Sequence, residues 1–89
     1  MDISVDGIMI TNRFFTCIDL LKDNGRMPGG IAAFCEKHKS INRARLCYCR
    51  NNPEHVLLKP ETIKFLCEDY GVNPDYILFG KGKILRTPK

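Results

Sequence analysis

The chain has 89 residues, a net charge of +4 and 44% apolar residues, enough for one domain with a modest core. No run approaches the roughly 20 apolar residues of a membrane span, and no charged-then-apolar leader opens the sequence, so secretion is not expected. The five cysteines, Cys17, Cys35, Cys47, Cys49 and Cys67, are odd in number and sit mostly on apolar stripes. That pattern suits reduced thiols in a cytoplasmic protein better than a disulfide framework.

The positive charge is concentrated. From Lys37 to Arg50 the chain carries Lys37, Lys39, Arg43, Arg45 and Arg50 without a carboxylate. The C-terminal end adds Lys81, Lys83, Arg86 and Lys89, again without acid, while residues 1–24 and 51–80 are net acidic. Clustered basicity of this kind is the footprint of a surface that binds a polyanion, although a merely solvated basic face gives the same pattern.

In chain order, residues 1–10 alternate apolar and polar around Gly7 and predict a short N-terminal arm or strand. Thr11 is an expected N-cap, followed by Phe14, Ile18 and Leu21 at helical spacing; Asn24-Gly25 ends this first helix. A loop through Pro28 leads to a second helix over about 30–38, with Ile31, Phe34, Cys35 and His38 on one face. Lys39-Ser40-Ile41 turns the chain, and Asn42 caps a third helix over about 42–51. Asn52-Pro53 closes it, and the loop holding Val56, Leu57 and Leu58 leads to a fourth. Pro60 occupies the first turn there, Ile63, Leu66, Cys67 and Tyr70 form the apolar stripe, and Gly71 terminates. Asn73-Pro74 opens a short fifth helix, Asp75 to Phe79, stopped by Gly80 and Gly82. Residues 83–89 read as a loosely held basic tail. Five short helices with brief connections predict an all-α bundle.

The second and third helices, joined by a short turn, form a helix-turn-helix whose second member suits the major groove. With Leu46 and Cys49 inward, Ala44, Cys47 and Tyr48 point outward, flanked by Arg43 and Arg45. Arginine reaches guanine edges or phosphate, and the capped start of the helix suits a backbone phosphate. Arg50 lies near the buried edge, where a salt bridge to another helix competes with phosphate contact.

These residues resemble the lambda-repressor-like, Cro-type helix-turn-helix domains of bacterial and phage regulators. The clearest likeness is Asp69-Tyr70-Gly71-Val72-Asn73-Pro74-Asp75-Tyr76-Ile77-Leu78-Phe79-Gly80-Lys81-Gly82, similar to that family's closing signature. Ile41-Asn42-Arg43-Ala44-Arg45-Leu46 resembles the opening of its recognition helix, and the likeness spans about residues 11–82. It implies base contacts at Arg43, Ala44 and Tyr48, a phosphate contact at Arg45 and a capping role for Asn42; Lys39, in the turn, completes the expected DNA-binding set. The chain departs from the family with Lys39-Ser40 where glycine is usual, with Gly29-Gly30-Ile31 opening the second helix, and with a longer, less basic loop after the third.

A zinc site built from Cys35, His38, Cys47, Cys49 and His55 is disfavoured, because Cys47 and Cys49 point about 200° apart on a helix and no Cys-x-x-Cys pair exists. No metal or other cofactor is expected. A Cys–His nucleophile pair lacks a cleft, and Gly80-Lys81-Gly82 follows a helix rather than a strand, so no enzyme is expected either. Ile77, Leu78 and Phe79 make an apolar terminal helix, and in resembling proteins such a helix makes the twofold contact of a homodimer. The expectation is therefore a cytoplasmic, nucleoid-associated regulator that binds double-stranded DNA, with no membrane partner and no small-molecule ligand. The competing expectation is a protein-interaction module on the same fold, using the Val56–Leu58 loop or the fifth helix.

Overall fold

The first helix starts well before Thr11. In the computed structural model, which describes residues 3–86, α1 runs Val5–Asp23 and is capped by Ser4, whose hydroxyl accepts from the Gly7 amide at 3.1 Å. Most of the expected N-terminal arm is therefore helix. The alternation of residues 3–10 gives way because Ser4 supplies a helix start and Asp6 meets the positive end of the dipole. A Cβ at Gly7 would lie 2.8 Å from Ile3 Cγ2, so its absence lets Ile3 lie against the helix. Thr11 is not a cap: it is buried, and its hydroxyl donates to the Gly7 carbonyl at 3.0 Å. The first two residues of that arm, and residues 87–89 of the expected tail, lie outside the described residues.

The other helices follow the sequence closely: α2 Ile31–Lys37, α3 Arg43–Asn51, α4 Pro60–Tyr70 and α5 Pro74–Phe79. No strand forms among the described residues, and the chain is an all-α bundle of five helices. Helix α1 is the spine, packing on α3 and α5, while α2 packs on α3 and α4 on α5. Its stripe Phe14, Cys17, Ile18 and Leu21 is fully buried. Phe34 of α2 meets Phe14 edge-on at 6.0 Å, and Leu66, Val72 and Ile77 complete the centre of the core.

The C-terminal segment is docked rather than loose up to Arg86. The Asn73 amide donates to the Ile84 carbonyl at 2.7 Å, and the Arg86 amide donates to Gly71 at 2.9 Å, giving one antiparallel bridge between Val72 and Leu85. Ile84 and Leu85, between the basic residues, pack on the core and cover Val72. This overturns the expectation for residues 83–86: a half-buried apolar pair packed against the core outweighs the surrounding charge.

Candidate nucleic-acid interface

Asn42 sets the register of α3. Its side-chain oxygen accepts from the Arg45 amide at 3.0 Å, satisfying one of the orphan donors of the first turn. Ile41, Leu46 and Cys49 are buried below the helix, and the Cys49 thiol donates to the Val56 carbonyl at 3.4 Å. With that edge fixed inward, Arg43, Ala44 and Arg45 are exposed and Tyr48 keeps 54% of its surface. Four of the sequence-predicted residues thus share one outward surface, with Asn42 at its start and exposed Lys39 in the turn before it.

The ion pairs divide the basic run in two. Arg50 is tied to Asp19 of α1 at 2.6 Å, with its guanidinium 5.6 Å from the centre of the Phe15 ring. Lys37 reaches Asp69 at 3.8 Å and lies over Tyr70. Arg50 therefore takes the salt-bridge role of its two expected roles, and Lys37 helps hold α2 to α4. Among the described residues no ion pair engages Lys39, Arg43 or Arg45. Their charge faces solvent uncompensated, which is what a polyanion contact requires.

The turn is held from below by a contact that periodicity did not reveal. The His38 ring stacks on Phe65 with centroids 4.2 Å apart and planes 4° apart, and its Nε2 is hydrogen-bonded to Asp69. His38 is the C-cap of α2, so this pair fixes where the turn leaves that helix. The lack of a glycine in the turn is met by this latch and by the Ile41 amide donating to the His38 carbonyl at 2.9 Å. No residue between Ser4 and Arg86 other than glycine adopts positive φ.

Cys47 departs from its expected outward position. It is half-buried and lines a cleft between α1, α2 and α3 with Lys22, Arg43 and Arg50. The other four cysteines are buried, and all five thiols are free. Burial pushes Cys17 up to about 12, with the nearby Cys67 adding to it, and burial likewise raises Cys35, Cys49 and Cys67. These thiols pack as small apolar groups.

The expected dimer residues separate. Ile77 is wholly buried and belongs to the core, whereas Leu78 and Phe79 remain 41% and 65% exposed. Leu78 and Phe79 border a shallow groove completed by Asp6, Met9 and Arg13 of α1. The α1 side of that patch was hidden from sequence reasoning, which had placed Met9 in the arm. A second, smaller apolar cleft lies beside α3, between Leu46 and Leu58, with Arg45 and Lys59 at its edge and Leu57 57% exposed. No helix among the described residues is long and apolar enough to cross a membrane. The chain matches no protein-family model, no curated protein and no solved structure.

Proposed function

We propose that this protein is a sequence-specific DNA-binding regulator of the lambda-repressor-like helix-turn-helix kind, repressor-like in action, with α3 in the major groove. The observation that carries the reading is the outward face of α3: Arg43, Ala44, Arg45 and Tyr48 exposed together, their arginines and Lys39 free of ion pairs among the described residues. The resemblance of Asp69–Gly82 to the family's closing signature supports it. So does the local geometry there, with the Asn73 side chain accepting from the Asp75 amide at 3.0 Å and Gly80 ending α5 left-handed. Phosphate contacts from Arg45 and Lys39 would supply a salt-sensitive term, and Arg43 and Tyr48 would read base edges. Selection from a random duplex pool at moderate salt tests this, with an enriched motif as the expected result. A pool that stays unenriched, with no duplex bound at low salt, removes the reading.

Leu78 and Phe79 offer the contact for a homodimer, which would place two half-sites about 34 Å apart and make the enriched motif palindromic. A second reading, a protein-interaction module, is favoured by the apolar cleft beside exposed Leu57. Leu57→Asp separates the two: it leaves duplex affinity nearly unchanged if α3 reads DNA, and abolishes partner binding if the cleft is the working surface.

A further inference from the structure

Two cysteines line adjoining clefts at the helix-turn-helix. Cys35 belongs to α2 and Cys47 to α3, two helices that pack on each other. Ala32 and Arg43 border both the cleft lined by Cys47 and the neighbouring one lined by Cys35, so the two thiols flank the same pair of side chains. Cys47 is the only cysteine that is not buried, and its cleft is lined by Lys22, Arg43 and the Arg50–Asp19 pair. It is the thiol that a small oxidant reaches from solvent. Burial raises the Cys35 thiol, with the nearby Cys47 adding to the rise and Arg43 opposing it.

We propose that Cys35 and Cys47 are an oxidisable pair, closed by hydrogen peroxide into a disulfide that cross-links α2 to α3. The Cys47 thiolate attacks one peroxide oxygen; the S–O bond forms, the O–O bond breaks, and the departing hydroxide takes up the thiol proton as water. The Cys35 thiolate then attacks the sulfenic sulfur, the S–S bond forms, and the second hydroxide leaves with the Cys35 proton as a second water. Two thiols lose two electrons and one peroxide gains them. An S–S bond of about 2.05 Å draws together the two helices on either side of the turn. Arg43, which lines both clefts, shifts as the two helices are drawn together. On the DNA reading proposed above, oxidation therefore removes one base contact and leaves the rest of the fold standing.

Treatment of the full chain with hydrogen peroxide, followed by thiol counting and non-reducing peptide mapping, tests the pair without reference to DNA. The expected product is a chain with no intermolecular disulfide that lacks two of its five free thiols, with the Cys35 and Cys47 peptides linked. Cys47→Ser should leave all remaining thiols intact, and Cys35→Ser should stop at a sulfenic acid that a cyclic 1,3-dione traps. A bond between any other pair, a bond between two chains, or over-oxidised Cys47 beside free Cys35 overturns the proposal. In a second arm, the mapped disulfide form should bind its preferred duplex about tenfold more weakly, the size of one lost bidentate base contact, with dithiothreitol restoring affinity. Formation of the bond in a protein that binds no duplex leaves the pair intact and removes the DNA reading alone.

Discussion

Arg43 and Arg45 stand two positions apart on α3 and should fail differently when removed. On the proposal that α3 reads DNA, Arg43→Ala should cost about 1–3 kcal/mol on a preferred site and relax preference at one base position. Arg45→Ala should weaken every duplex alike and reduce the salt slope by about one unit, as loss of one phosphate contact requires. Titrations of specific and scrambled duplexes at several salt concentrations distinguish the two. Arg50 provides the control: paired with Asp19 and half-exposed, it should cost under about 1 kcal/mol of stability on mutation to Ala and leave the salt slope unchanged. Cys17 supplies a pH test of the core. Burial holds its folded-state value at about 12 against an ordinary 9.0, so its protonated form stabilises the fold fully below pH 9. That contribution is lost as pH rises from 9.0 toward 12. Denaturant midpoints should fall over this window, and fall less in Cys17→Ala.

At the level of elements, the join between α1 and α5 is the most testable. Arg13 extends from α1 to the carbonyls of Ile77 and Leu78 at 3.4 and 3.5 Å, and lies directly beneath Gly80. Gly80 has φ +69°, and a Cβ there would fall 2.9 Å from Arg13 Nη2; Gly71, with φ +70°, has nothing within 4 Å. Gly71→Ala should therefore cost about 1 kcal/mol, the left-handed penalty alone, and Gly80→Ala more. In Arg13→Ala the excess should disappear, so a double-mutant cycle by urea unfolding should show non-additive coupling. Additive effects would mean that Arg13 does not constrain Gly80. The same elements show what sequence could and could not carry. Helices α4 and α5 were legible because Pro60, Gly71, Asn73 and Gly80 are local signals, each interpretable from its immediate neighbours. The start of α1 was not, since the purpose of Gly7 emerges only when Ile3 lies on it. Arg50–Asp19 and His38–Asp69 each join residues 31 apart in sequence, a separation on which helical periodicity is silent.

For the molecule as a whole, the C-terminal segment is the element whose importance the sequence concealed, because its four basic residues mask Ile84 and Leu85. Ending the chain at Gly82 should expose Val72 and remove two half-buried apolar side chains, a loss of about 2–3 kcal/mol. Circular dichroism during urea unfolding should show a lower midpoint with helix content almost preserved. An unchanged midpoint would mean that the segment merely rests on the bundle. The outward face of α3 was legible early because it needs only one helix wheel and one cap. The apolar run Ile77-Leu78-Phe79 of α5 was legible, but only the packing of α5 on α1 decides that Ile77 is buried while Leu78 and Phe79 remain exposed. If they pair two copies, Phe79→Asp should sediment as a monomer where the wild type sediments as a dimer.

The chain contains no tryptophan, which leaves ordinary fluorescence with little to report about the turn beneath α3. The His38–Phe65 stack fills that gap. Two rings 4.2 Å apart and nearly parallel place each ring's protons in the other's diamagnetic current. The His38 ring protons should therefore resonate upfield of a free histidine's, in a proton spectrum shared with just one other histidine, His55, which is exposed. A single pair of sharp lines thus becomes a gauge of whether α2 and α4 are closed beneath the turn, readable during duplex or peroxide titration without any label.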